Sequence, residues 1–269
     1  MYKLVSNGFK QVQIFKILHQ RRLLLSLFII LCMIVTSLPH VVYAQSSEPW
    51  VLVFSKTAGY RHASIPNGKK AIQKLGREHG FLVDTTEDAS KFTDQNLSQY
   101  AAVIFLSTTH DVLNDQQQDA FERFIESGKG YVGVHAASDT EYQWPWYHKL
   151  VGAYFKEHPK IQPATLNVHD DPKFSVLDQL PHPWKRTDEW YDFRSLPQNV
   201  NVIIDIDEDS YKGGTMGDYH PMVWYHQYDG GRSFYMELGH TKASYTEANF
   251  LKVLLAGIQY GIGSDHQLK

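Results

Sequence analysis

Four short apolar runs constrain this chain more than any other feature. Val51-Leu52-Val53-Phe54, Phe81-Leu82-Val83, Ala101 to Leu106 and Tyr131-Val132-Gly133-Val134 carry no charge at all. A strand reads this way when helices cover both faces of its sheet. Between the runs lie helix-forming stretches. One spans about Asn67 to His79 and is ended by Gly80; the other spans Asn114 to Ser127, with Phe121, Phe124 and Ile125 on one side and Gly128 as its stop. Strand alternating with helix predicts parallel α/β winding in the first half.

The second half has a different rhythm. Residues 139–160 hold Trp144, Trp146, Tyr147, Tyr154 and Phe155 among prolines and glycines and read as a structured excursion. Thr165 to His169 and Val200 to Ile206 are expected strands. Met222 to Tyr228 and Ser233 to Leu238 flank Asp229-Gly230-Gly231, a hairpin signal because these residues tolerate positive φ. A closing helix is expected from about Thr246 to Tyr260, with Phe250, Val253, Leu254 and Ile258 on one face. The expectation is one α/β domain, a three-layer sandwich with a mostly parallel sheet and an antiparallel hairpin addition.

Ahead of this domain, residues 1–22 carry Lys3, Lys10, Lys16, Arg21 and Arg22 and no acid. The almost wholly apolar run Leu23 to Val35 follows, then Val42-Tyr43-Ala44. A basic start, a short apolar stretch and a small-residue cleavage pattern predict a signal peptide over 1–44 and export to the periplasm or outside the cell. The run has 13 residues, short of the roughly 20 that a membrane anchor needs. Removing the segment takes five of the 26 basic residues and none of the 29 acids, leaving residues 45–269 at a net charge of −8. That balance argues against nucleic acid as a partner. It also removes Cys32, the one cysteine, which excludes thiolate zinc sites and cysteine nucleophiles.

Ligands of open parallel sheets bind beyond the carboxyl ends of the strands. Three polar loops are expected there: Tyr60-Arg61-His62, Ser107 to Asp111, and His135-Ala136-Ala137-Ser138-Asp139. Gly133-Val134-His135-Ala136-Ala137 has the layout of a nucleophile elbow with histidine at its centre. An imidazole held there serves as general acid or base or as a metal ligand. Asp139, four residues on, is expected to orient it. The bland alternative is a histidine that caps a buried strand end by hydrogen bonds.

Further along, Asp188-Glu189-Trp190-Tyr191-Asp192 sets carboxylates beside rings, Gly217-Asp218-Tyr219-His220-Pro221 precedes a strand, and Gly239-His240-Thr241 follows the hairpin. Carboxylates with aromatic platforms suit a sugar, with Asp188 and Glu189 on hydroxyls and Trp190 stacking. His62, His135, His220 and His240 are candidate ligands for a divalent metal such as zinc, although no local metal-binding motif joins them. Asp188 and Glu189 point to opposite faces of a strand, so a glycosidase-type pair needs a partner from elsewhere.

Taken together, Tyr60 to Ile65, Gly130 to His135, Asp188-Glu189-Trp190-Tyr191, Gly217 to Trp224, Gly231-Arg232, Tyr235 and Leu238-Gly239-His240 resemble the ThuA-like family across about residues 50–261. The resemblance implies a class I glutamine amidotransferase-like, flavodoxin-like fold. Amidotransferases carry cysteine at the elbow; His135 stands there in this chain, so glutamine hydrolysis is not its reaction. The family is linked to trehalose utilisation and to disaccharide catabolism through 3-keto intermediates, and exported members carry the label of glycosyl hydrolases.

The expectation is therefore an exported enzyme of carbohydrate catabolism acting on a sugar or 3-keto-glycoside. His135 would be its acid or base, Asp139, His220 and His240 its catalytic partners, and Arg61, His62, Asp188, Glu189 and Trp190 its substrate-binding groups. A non-catalytic carbohydrate-binding protein and a metal-dependent hydrolase are the alternatives.

Overall fold

Alternate residues of three of the apolar runs feed two separate cores. The run Phe81-Leu82-Val83 lies at the edge of the sheet and leaves Leu82 exposed, so it is not covered on both faces as expected. In β1 (Trp50–Phe54), Val51 and Val53 face one core and Leu52 and Phe54 the other. In β3 (Ala102–Leu106), Ala102, Ile104 and Leu106 divide in the same way from Val103 and Phe105. Burial on both faces is the reason these runs carry no charge, since each fully buried side chain of this size contributes about 1.5–3 kcal/mol. The chain is a computed structural model that describes residues 48–263. The expected export segment, with Cys32, lies outside the described residues.

Among the described residues the α-helices are α1 (Ile65–His79), α2 (Asp94–Leu97), α3 (Asp115–Glu126), α4 (Pro145–Val151) and α5 (Ala248–Ile262). Residues of α1 and α5 fill the first core, and those of α2, α3 and α4 the second. That makes three layers. Local signals set the helix ends: α1 stops at Gly80 with φ 73°, and α3 starts with a capping box in which Asn114 and Gln117 satisfy each other's backbone N–H.

The remaining strands are β2 (Leu82–Thr86), β4 (Gly130–Val134), β5 (Phe155–Glu157), β6 (Gln162–Val168), β7 (Trp184–Asp188), β8 (Asp192–Phe193), β9 (Asn201–Asp207), β10 (Pro221–Tyr228) and β11 (Gly231–Met236). The main sheet has nine strands in the order β2-β1-β3-β4-β11-β10-β9-β6-β7. The first five run parallel and the rest pair antiparallel. The expected hairpin is β10–β11, turning through Asp229 (φ 49°) and Gly230 (φ 86°). Its second strand completes the parallel half, so the antiparallel extension is four strands wide. The excursion over 139–160 contains α4 and β5, and β5 pairs with β8 as a separate ribbon.

This topology decides which side chains meet. Alternating direction from β11 outward points β9 and β7 the same way as β1, β3, β4 and β11. Their carboxyl ends share one edge. Within it Val134 of β4 is paired with Met236 of β11, so the next residues, His135 and Glu237, emerge side by side.

Candidate functional site

His135 takes φ 52° at the turn from β4 into a short 3-10 helix, the sharp turn expected of an elbow. Its ring is fully buried. Nδ1 lies 2.7 Å from the main-chain oxygen of Glu237, and that oxygen only accepts, so Nδ1 carries the hydrogen. Nε2 then faces Glu189 Oε2 at 3.5 Å and His240 Nδ1 at 3.3 Å. His240 Nδ1 is also 2.9 Å from Glu189 Oε2. His62, from the loop after β1, stands edge-on to both rings, 4.7 Å from His135 and 5.0 Å from His240 between centroids. Its Nδ1 is buried with no hydrogen-bond partner.

The electrostatics follow from this crowding. Burial and the neighbouring His135 and His240 push the His62 pKa down to about 2. Burial opposes charge on His135 too, but hydrogen bonding to Glu189 and Glu237 outweighs it and pushes the ring up to about 10. Burial raises Glu189, and His135 and His240 overcome that to hold it well below the usual carboxylate range. Glu237, fully enclosed, is pushed by burial up to about 7.

One donor atom from each of His62, His135, Glu189 and His240 lies within 4.8 Å of the other three. Nitrogen and oxygen ligands about 2.0–2.1 Å from a tetrahedral ion stand about 3.3 Å from each other. The separations of 2.9, 3.3 and 3.5 Å among His240, His135 and Glu189 bracket that spacing. The unpartnered His62 nitrogen and the His135 ring, fixed from behind by a carbonyl, are the marks of a ligand set with its outer support in place. These residues fit a divalent cation.

A cavity of about 310 Å³ opens over the cluster, lined by Tyr60, His62, Asp139, Phe155, His158, Glu189, Tyr191 and His240. Tyr60 is 63% exposed at its mouth. Tyr191 lies against His135 at 4.4 Å and against Phe155 at 4.3 Å. His158, half exposed, sets Nδ1 3.2 Å from Glu189 Oε1.

Several expected site residues stand elsewhere. Asp139 lines the cavity but accepts the Tyr142 hydroxyl at 2.5 Å; the atoms that orient His135 belong to Glu237. His220 is buried outside the cavity, bonded to the Tyr191 carbonyl at 2.8 Å, and Glu189 takes its place in the ligand set. Arg61 pairs with Glu87 at 2.8 Å on the surface. Asp188 is a buried strut, accepting from Arg186, from Ser244 and from the main-chain N–H groups of Gly239 and Thr241. It thereby anchors the loop that carries His240. Gly239 adopts φ 125° there, a conformation glycine reaches freely. Trp190 is fully buried with its indole N–H on the Gln162 carbonyl, so Tyr60, Phe155 and Tyr191 are the rings a ligand would meet.

The sequence pattern of the ThuA family, described as trehalose utilisation, matches residues 50–261. No curated protein matches the sequence. Among solved structures, a ThuA-like protein from Bacteroides uniformis ATCC 8492 superposes with a TM-score of 0.66 at 24% identity, covering 81% of this chain and 93% of that one. A ThuA-like protein from Parabacteroides merdae ATCC 43184 gives 0.67 at 20% identity, covering 80% and 90%. A β-galactosidase from Bacillus circulans sp. alkalophilus shares the fold at 0.54 and 16% identity, with this chain spanning 31% of its length.

Proposed function

Because the chain belongs to the ThuA family of trehalose utilisation, we propose that its pocket is the active site of an exported, carbohydrate-active enzyme assisted by a divalent cation. The observation that carries this reading is the convergence of three histidines and a glutamate from separate loops, with His62, Glu189 and His240 lining one cavity and His135 buried against them. His62, His135, Glu189 and His240 hold the cation, and His135 is kept in register by the Glu237 carbonyl. A divalent cation there supplies Lewis acidity toward a sugar carbonyl or hydroxyl.

The protein's own groups account for the rest. Phe155 offers a ring face to the C–H side of a sugar, Tyr191 packs between it and His135, and Tyr60 closes the mouth. A keto group at C3 acidifies the neighbouring C2 hydrogen, and a base that removes it opens isomerisation or loss of the glycosidic substituent. In this reading His135 is fully buried with its free nitrogen turned to the cation, and the base comes from another residue. His158 faces the ligand space with Glu189 beside it, and it takes the role. Asp139, partly shielded and held by Tyr142, orients a hydroxyl. The charged and apolar pattern of residues 1–44 supports export.

Proton NMR in deuterated water tests the reading. Purified protein mixed with 3-keto-trehalose and related keto-disaccharides should give new anomeric signals or deuterium at C2. Broadening without turnover would turn the assignment toward a binding protein.

A further inference from the structure

Among the described residues a second group of metal-type donors lies at the same sheet edge, apart from the pocket. Asp192 belongs to β8, Glu208 follows β9, and His220 immediately precedes β10. None of them lines the cavity over His240. One donor atom from each lies within 4.8 Å of the other two.

His220 is oriented as a ligand is. Its Nε2 lies 2.8 Å from the Tyr191 main-chain oxygen, which only accepts, so Nε2 holds the hydrogen. In the neutral ring Nδ1 is then a lone pair; it accepts from the Tyr211 hydroxyl at 3.3 Å and also faces Glu208 Oε1 at 2.9 Å. Two acceptors at that distance need a proton or a cation between them. Asp192 is fully buried, and its Oδ1 has no hydrogen-bond partner. An unpaired buried carboxylate oxygen is costly unless something positive reaches it.

Glu208 is fixed by the N–H groups of Met216 and Gly217, at 2.8 and 2.9 Å. It also lines an acidic cleft of about 310 Å³ with Asp205, Asp207, Asp209 and Asp218. A cleft of one sign draws cations from solvent, and Glu208 joins it to the buried donors.

We propose that Asp192, Glu208 and His220 bind a second divalent first-row cation, reached through this acidic cleft. Two carboxylates and a neutral imidazole balance a charge of +2. Mixed oxygen and nitrogen donors suit Mn2+ or Zn2+ over Ca2+ or Mg2+. The role is positional, since His220 holds the Tyr191 carbonyl and the Tyr191 ring lies on His135.

The test counts metal. Chelator-stripped protein is dialysed against Zn2+ or, separately, Mn2+, bound metal is measured by elemental analysis, and thermal unfolding is followed in parallel. The wild type should bind two equivalents of at least one of these ions. Glu208→Gln and Asp192→Asn should each bind one. His240→Ala should retain one equivalent and still gain Tm on metal addition, and adding Glu208→Gln to it should abolish both. Equal metal content in wild type and Glu208→Gln would overturn the proposal. So would a His240→Ala protein that binds none. Full metal content in His240→Ala with a loss in Glu208→Gln would instead remove the pocket's cation and leave this site standing. Glu208 is partly exposed, so its variant remains informative if Asp192→Asn does not fold.

Discussion

The Nδ1 of His135 lies 2.7 Å from the main-chain oxygen of Glu237, and this one hydrogen bond fixes what the elbow histidine does. It orients Nε2 toward Glu189 and His240 and makes the buried ring a member of the cluster instead of a free base. In the metal-free protein, His135→Ala would leave the carboxylates of Glu189 and Glu237 without their buried counter-charge. Breaking a buried pair in this way costs about 3–5 kcal/mol. Chemical denaturation should report a loss in that range for His135→Ala and about 1 kcal/mol or less for His240→Ala, whose ring is partly open to solvent. Equal losses would contradict the assigned roles.

Asp188 predicts a coupled effect. Its carboxylate ties Arg186 to the loop of Gly239 and Thr241, so Asp188→Asn weakens a buried ion pair and loosens the mount of His240. Stability should fall by about 2–4 kcal/mol, and metal affinity should fall with it. A variant with reduced stability but unchanged metal affinity would make Asp188 purely structural.

The rings separate by location. Trp190→Ala empties a buried site and should cost about 3–5 kcal/mol. Tyr60→Ala, at an exposed residue, should change stability by less than about 0.5 kcal/mol. On a keto-glycoside substrate it should raise KM several-fold while kcat stays within about twofold. An unchanged KM would remove Tyr60 from the binding surface.

His226 gives the protein a pH dependence away from the pocket. Its Nε2 meets the Lys149 carbonyl at 3.0 Å, its Nδ1 has no partner, and burial holds its pKa below the ordinary histidine value. The folded ring therefore takes up a proton less readily than the unfolded one. Its contribution is fully present above the unfolded pKa of about 6.5 and is lost as pH falls toward the folded value. Denaturation midpoints measured from pH 7.5 to 5 should drop more steeply for wild type than for His226→Gln. Parallel curves would contradict this.

How much of this was legible in the sequence follows from how local each signal is. Val51–Phe54, Ala102–Leu106 and the turn at Asp229-Gly230 state their structure in consecutive residues, and so do the ends of α1 and α3. The elbow at His135 was legible for the same reason. Glu237 was missed, although a lone charge inside Tyr235-Met236-Glu237-Leu238 marks a buried strand end that meets something polar. Only the pairing of β4 with β11 says that the something is His135. His158, which lines the cavity, was not singled out because it follows β5, a three-residue strand with no periodicity of its own. Asp188 and Trp190 were assigned to substrate because their chemistry suits a sugar, yet both are fully buried. Their neighbour Glu189 reaches the cavity.

The most direct measurement is the turnover of 3-keto-trehalose by chelator-stripped protein during stepwise return of Zn2+, followed by NMR on wild type and His240→Ala. Conversion should be absent in the stripped protein and rise to a plateau as the pocket fills. It should stay at least about 100-fold lower in His240→Ala at the same metal concentration. Undiminished conversion by the stripped protein would contradict a cation held by His62, His135, Glu189 and His240.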